Sequence, residues 1–238
     1  AMAFAARLKG MRAVAVMPTT AAPVKIEGAK RLGAEVVLEG TTSTERKKRA
    51  EALALEEGLT IVPPFDHPFI IAGQGTAGLE IVQDWPEVEV VLAPIGGGGL
   101  VSGTAVAVKG LLPGASVLGV EASGAPTMHA ALEAGRPVTL PRVDTIADGL
   151  KPVRAGDLTF LHARALVDDV VLVEDDAIRE ATRLLLHQRK LVVEISGAAV
   201  VGALLSRPEL TRDRRVAVVL SGGNLDTSVL GSLADSPS

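Results

Sequence analysis

Val90-Val91-Leu92-Ala93-Pro94-Ile95-Gly96-Gly97-Gly98-Gly99-Leu100-Val101-Ser102-Gly103 is the stretch that decides how this 238-residue chain is read. Val88 to Ala93 is almost wholly apolar, which predicts a strand buried on both faces, as in a parallel sheet. The residues after Gly99 predict a helix to about Leu111. Four consecutive glycines stand between strand and helix, and a surface turn has no use for so large a loss of backbone entropy. A bound anion does. Without Cβ atoms, several N–H groups can converge on one oxyanion, and the helix that follows adds its positive end. The loop is therefore predicted to be an anion seat.

The spacing leaves the anion open. A dinucleotide fingerprint needs G-x-G-x-x-G, but counting from Gly96 ends on Val101 and counting from Gly97 ends on Ser102. Glu121 nevertheless ends the next apolar run, where a ribose-binding acid is expected, so an NAD-type oxidoreductase stays as an alternative. No Gly-Lys-Ser/Thr follows the glycines, which excludes a P-loop. A second glycine turn, Ser221-Gly222-Gly223-Asn224, leaves the apolar run Val216 to Leu220. Two such turns, each at the carboxyl end of a strand, favour one shared ligand.

Working outward, strands are predicted at Ala13 to Met17, Glu35 to Leu38, Leu59 to Val62, Ser116 to Val120 and Val170 to Val173. Helices are predicted at Pro23 to Leu32, Ser43 to Glu57, Thr76 to Trp85, Pro126 to Ala134, Asp175 to Gln188 and Ser196 to Leu205. Ser43 is read as the opening of its helix, with Arg46 at the third position, so no capping box is expected. Residues 135 to 157 look irregular, and Ala234 to Ser238 read as a tail. The alternation predicts an α/β protein with parallel sheets. Pro63-Pro64 marks the expected crossing between residues 1–63 and residues 64–238. Ala1 to Gly10 reads as a helix already under way, without an N-cap, so an upstream portion is expected.

Composition narrows the function. Apolar residues make up 47% of the chain, enough for a sizeable core. A net charge of −4, one tryptophan (Trp85), no tyrosine and four phenylalanines argue against a nucleic-acid partner. The absence of cysteine excludes disulfides, thiolate metal sites and a cysteine nucleophile, and fits a cytoplasmic location. No apolar run reaches the roughly 18 residues of a membrane span, so no membrane partner is expected. His67, His129, His162 and His187 show no paired metal spacing, and no Ser/His/Asp arrangement is visible.

An ordered set of segments resembles a known family. They are Val16-Met17-Pro18 with Ala22-Pro23-Val24-Lys25, Gly33-Ala34-Glu35-Val36-Val37, Pro64-Phe65-Asp66 and Ile71-Ala72-Gly73-Gln74-Gly75-Thr76. Pro94-Ile95-Gly96-Gly97-Gly98-Gly99-Leu100, Ile146-Ala147-Asp148-Gly149 and Leu220-Ser221-Gly222-Gly223-Asn224 complete it. Together they resemble the fold-type II pyridoxal phosphate enzymes, specifically threonine/serine dehydratases (ammonia-lyases) and serine racemases, over almost the whole chain. The resemblance implies two open parallel-sheet α/β domains of the tryptophan synthase β-like architecture, the smaller one mobile and incomplete at its N-terminus.

It further implies pyridoxal 5′-phosphate as cofactor, a small hydroxy amino acid as substrate, and α,β-elimination to a 2-oxo acid and ammonia in amino-acid catabolism. A homo-oligomer, dimer or tetramer, is also implied. Gly96, Gly97, Gly98, Gly99 and Leu100 would hold the cofactor phosphate, and Ser221 would hydrogen-bond the pyridine nitrogen. Glu194 matches an acid near the ring; by itself it reads as a carboxylate at a helix N-terminus. Glu121 and Ala125 match a cation site, monovalent or divalent, whose third ligand is an acid in the family and Thr127 here. The family's Schiff-base lysine belongs to a segment expected upstream of Ala1. None of Lys9, Lys25, Lys30, Lys47, Lys48, Lys109, Lys151 and Lys190 lies in that motif, so no catalytic residue is assigned and the chain alone is expected to be inactive. A racemase, or a protein that binds phosphate or cofactor without catalysis, is the alternative within this reading.

Overall fold

The computed structural model describes residues 1–225, so the expected tail lies outside the described residues. The chain divides into two compact units, Ala1–Val62 and Pro63 onward. The first unit contains α1 (Met2–Leu8), β1 (Val14–Met17), α2 (Pro23–Arg31), β2 (Glu35–Leu38) and α3 (Ser43–Glu57). Its two strands pair in parallel, with Val14 opposite Glu35 and Met17 opposite Leu38. Leu59 to Val62, expected as a third strand, is irregular and mostly exposed. An apolar run forms a strand only where a partner edge and a covering layer exist.

A capping box opens α3, contrary to expectation, because the N-cap is Thr42 rather than Ser43. The one-residue shift puts Glu45 at the third helical position. The Glu45 N–H donates to Thr42 Oγ1 at 3.3 Å, and Glu45 Oε2 accepts the Thr42 N–H at 2.9 Å. Thr42→Ala is expected to cost about 1 kcal/mol of stability, checked by urea unfolding.

The second unit contains α4 (Pro68–Asp84), β3 (Val90–Pro94), α5 (Gly99–Leu111), β4 (Ser116–Ala122) and α6 (Thr127–Glu133). A helical turn at Asp148–Leu150 follows, then α7 (Asp157–Leu166), β5 (Asp169–Val173), α8 (Asp175–Arg189), α9 (Ile195–Ser206) and β6 (Val216–Val218). The four strands form an all-parallel sheet in the order β5-β4-β3-β6.

The alternation of side chains along β3 feeds two cores. Val91 and Ala93 pack with Val101, Ala105 and Val108 of α5 and Phe160 of α7. Val90 and Leu92 pack with Ile178 of α8 and Ala199, Val200 and Ala203 of α9. All four of these strand residues have no exposed surface. Each Val or Leu so buried contributes roughly 1.5–3 kcal/mol. This is a three-layer α/β/α unit with β3 at its centre.

Two helices depart from expectation. α4 begins at Pro68, eight residues before Thr76, with His67 as its N-cap and Pro68 in its first turn. α7 had no predicted counterpart. Its N-cap is Gly156, which has no side chain to start a helix locally.

The topology places the site. The chain leaves β3 through α5 towards β4, on one side of β3, and returns through α9 to β6, on the other. The strand order therefore reverses between β3 and β6. In open parallel sheets, the crevice at the carboxyl ends of two such strands is where ligands bind.

Candidate functional site

Both glycine turns open at that reversal. Residues 96 to 99 follow β3, and Ser221-Gly222-Gly223 follow its neighbour β6, whose end is tied on by the Val219 N–H donating to the Leu92 carbonyl at 2.9 Å. Gly98 is the N-cap of α5, at φ +96°, a conformation that L side chains rarely adopt.

The backbone donors of the loop have a distinctive arrangement. The Ile95 N–H reaches the Val120 carbonyl at 2.7 Å, and the Ser102 N–H reaches the Gly98 carbonyl at 3.0 Å. Among the described residues, the six N–H groups between them, from Gly96 to Val101, have no hydrogen-bond acceptor. Gly97, Gly98, Gly99 and Val101 are nevertheless buried. A buried unpaired N–H costs about 1–3 kcal/mol, so such a row is stable only with a ligand or ordered solvent as acceptor. A row of donors at a helix N-terminus fits an oxyanion.

The glycines also meet a demand that comes from the protein itself. A Cβ on Gly97 would collide with the Phe65 ring, and one on Gly98 would lie 2.7 Å from Met128 Cε and 2.8 Å from Thr159 Cβ. A Cβ on Gly96 would lie 2.5 Å from the Gly149 carbonyl oxygen. The loop is clamped from behind while its N–H groups stay unused.

Glu194 and Ser221 come together with this loop. Glu194 is the N-cap of α9, but its side chain makes no capping hydrogen bond. Its N–H donates to the Gly222 carbonyl at 3.1 Å. Its carboxyl group lies against Gly222, which sits at φ +81° and has no room for a Cβ. Gly149 links the glycine loop to the first turn of α9, since its N–H donates to Ser196 Oγ at 2.8 Å while its carbonyl faces Gly96. The Ser221 hydroxyl has no hydrogen bond to a described residue.

Glu121 and Ala125 lie elsewhere. Glu121 has no exposed surface, and its two carboxyl oxygens accept the N–H groups of Met128 at 2.7 Å and His129 at 2.9 Å. It caps α6. Burial pushes its carboxyl up to about 7, against the opposing pull of those amides. The Ala125 carbonyl accepts the Thr127 N–H at 2.9 Å, and Thr127 Oγ1 donates to the Pro152 carbonyl at 2.7 Å. Every oxygen of the expected cation site is thus engaged within the protein. No group of three His, Asp or Glu side chains among the described residues is placed to hold a metal ion. The same burial denies Glu121 to a ribose. Lys151 is exposed on its loop.

Three site residues escaped the sequence reading. Phe65 and Asp66 stand out there only as part of a shared motif, and Thr159 carries no local signal at all. Phe65 backs the glycine loop, Asp66 caps α7, and Thr159 of α7 donates its hydroxyl to the Gly97 carbonyl at 2.7 Å.

The family model for pyridoxal-phosphate dependent enzymes matches residues 1–222. The chain belongs to this family. As a pyridoxal-phosphate dependent family member, it is 42% identical over 229 residues to an L-threonine ammonia-lyase of Thermotoga maritima, covering 96% of this chain and 57% of that protein. It is 41% identical over 227 residues to the biosynthetic L-threonine dehydratase IlvA of Escherichia coli, covering 94% of this chain and 44% of that one. The chain therefore spans about half the length of these curated relatives. The solved structure of maize serine racemase superposes with a TM-score of 0.91 at 35% identity, covering 97% of this chain and 71% of that one. Pyridoxal phosphate is the cofactor of the family, and the two parallel α/β sheets are those of its fold-type II members. No helix among the described residues is long and apolar enough to cross a membrane.

Proposed function

We propose that this chain carries the cofactor-binding part of a threonine/serine ammonia-lyase, which eliminates water from a small hydroxy amino acid to form an enamine that takes water up again to give a 2-oxo acid and ammonia. The observation that carries the reading is the row of six acceptor-less N–H groups from Gly96 to Val101 at the N-terminus of α5. Its company is the free-standing hydroxyl of Ser221 on the neighbouring turn. The identities above 40% to threonine ammonia-lyase and dehydratase favour this activity over racemisation.

When bound, pyridoxal phosphate supplies an electron sink for bond breaking at the amino acid's α-carbon. The residues of this chain do the rest of the holding. The N–H groups of Gly96, Gly97, Gly98, Gly99 and Leu100 hold the phosphate, helped by the positive end of α5. Ser221 would hydrogen-bond the ring nitrogen. A hydroxyl cannot keep that nitrogen protonated as a carboxylate would, which weakens the sink and suits prompt loss of the β-hydroxyl. Glu194, whose carboxyl group packs on Gly222 of the same turn, would lie near the ring. Glu121 and Ala125 act as a structural cap of α6 rather than as ligands. No lysine of this chain is assigned the covalent role, and the smaller unit acts as the mobile domain of a homo-oligomeric enzyme.

Titration of the chain with pyridoxal phosphate tests this, followed by fluorescence or equilibrium dialysis. Saturable binding is expected, displaced by inorganic phosphate and weakened at least tenfold by Gly99→Asp, which sets a negative charge among the donors. Binding that ignores phosphate overturns the seat. Borohydride treatment of the loaded chain is expected to trap no lysine stoichiometrically. A single trapped lysine would assign the covalent role within this chain.

A further inference from the structure

We propose that Thr159 is a positioning residue of the phosphate seat and that Asp66 in turn positions Thr159. This rests on the reading of Gly96 to Val101 as that seat. Thr159 is the third residue of α7 and is fully buried. Its Oγ1 donates to the Gly97 carbonyl at 2.7 Å, and the Gly156 N–H reaches the same oxygen at 3.4 Å.

The consequence follows from the planar trans peptide. The Gly97 carbonyl and the Gly98 N–H belong to one peptide unit and point in opposite directions. Anchoring the carbonyl on α7 turns the Gly98 N–H away from α7, into the row of unused donors. Among the described residues, the other donor to that oxygen is the Gly156 N–H, the longer and weaker of the two contacts. The unit joins two glycines, so rotating it end over end meets little steric resistance from the residues themselves. The rotated unit would present a carbonyl oxygen where the phosphate needs a donor. The buried hydroxyl, as the shorter of the two contacts, thus does most to set the sign of the dipole at the centre of the loop.

Asp66 fixes the height and tilt of α7. Its carboxylate accepts the N–H groups of Asp157 at 3.0 Å, Leu158 at 2.9 Å and Thr159 at 3.1 Å. Those are three of the four donors that a helix start leaves unpaired. A side chain at the N-cap could have served them, but Gly156 has none, and a Cβ there would collide with Asp66. The cap therefore comes from a residue about 90 positions away in sequence. The preceding residue, Phe65, lies directly behind Gly97 and Gly99. One dipeptide supports the loop by contact and, through α7 and Thr159, by orientation.

The test compares pyridoxal phosphate with pyridoxal, which lacks the phosphate, on the full chain. Thr159→Val keeps the shape and removes the hydroxyl. It is expected to weaken pyridoxal phosphate binding about tenfold while leaving pyridoxal unchanged, so the preference for the phosphorylated ligand collapses. Thr159→Ser restores that preference to within about twofold, because it restores the donor. Asp66→Asn, which keeps one good acceptor of two, lowers it about threefold. Equal weakening of both ligands, or an unchanged preference in Thr159→Val, overturns the proposal. Should Thr159→Val fail to fold, an unchanged preference in Asp66→Asn overturns it as well. A wild-type chain with no preference for the phosphorylated ligand is a different failure, that of the seat itself.

Discussion

Gly103→Ala is expected to destabilise the second unit by about 3 kcal/mol or more, a fall of roughly 10 °C in melting temperature. The reason is the crossing of α4 and α5. A Cβ on Gly103 would strike the Ile71 carbonyl oxygen and stand 2.5 Å from Gly75 N and 2.8 Å from Gln74 C, all of them backbone atoms of α4. From the other helix, a Cβ on Gly78 would stand 2.7 Å from the Thr104 carbonyl oxygen, and one on Gly75 would stand 3.1 Å from that of Gly103. Side chains can rotate out of such a clash, but backbone cannot, so one helix must move bodily. The helix that moves is the one whose first turn supplies the donors of the proposed phosphate seat, and pyridoxal phosphate affinity is expected to fall with stability. Gly110→Ala is the control, because Gly110 lies in the same helix with open space around its Cβ. There the helix propensity of alanine is expected to stabilise by about 0.5–1 kcal/mol. Opposite signs for two glycines of one helix separate packing from propensity. Urea unfolding of both variants reads the difference, and equal effects would refute the crossing.

That crossing also explains why α4 was read too short. Gly73 and Gly75 look like loop punctuation when only neighbouring residues are considered, and helical spacing becomes visible only from Thr76 onward. The use of Gly75 is tertiary: it lets another helix approach, and no local pattern announces that. α7 was missed for a related reason. Its N-cap is a glycine and its capping carboxylate, Asp66, arrives from a distant part of the chain. The α3 capping box hid behind three adjacent hydroxyl residues, Thr41, Thr42 and Ser43, of which backbone geometry selects Thr42.

The elements around the proposed seat were legible where they are local. A buried strand, a glycine run and a following helix stand out in the sequence because all three are built from consecutive backbone groups. The second turn, at Ser221, was legible for the same reason. The clamp behind the seat was not. The glycines face Phe65, Gly149, Met128 and Thr159, four contacts drawn from four separate segments. The sequence reading also gave the four glycines a single purpose, ligand access, whereas the structure gives them a second, close packing. Each purpose alone would tolerate some substitution. Together they leave no room for a Cβ at Gly96, Gly97 or Gly98 and a tight fit at Gly99.

Glu121 offers the second large effect, and one with a sign fixed by its surroundings. Burial pushes its carboxyl up to about 7 in the folded chain against an ordinary value of 4.5, because it disfavours the charge more than the backbone amides of Met128, His129 and Thr127 favour it. Between those values the native state holds a proton that the unfolded chain has released. The advantage of the protonated group is full below about pH 4.5 and is lost as pH rises through about 7. At alkaline pH the loss amounts to about 3 kcal/mol. Glu121→Gln cannot ionise. Its amide oxygen still accepts one of the N–H groups of Met128 and His129, while its NH2 faces the other, so the variant is expected to be less stable than the parent at pH 5 by about 1–2 kcal/mol. Its stability should then stay level where the parent's declines, and by pH 8 the two should have converged or crossed. The quantity to measure is the change in unfolding free energy between pH 5 and pH 8 in each protein. A difference of about 2–3 kcal/mol between the two changes is expected. Parallel pH profiles would mean that the buried carboxylate does not titrate in this range, and that the first N–H groups of α6 hold its charge without penalty.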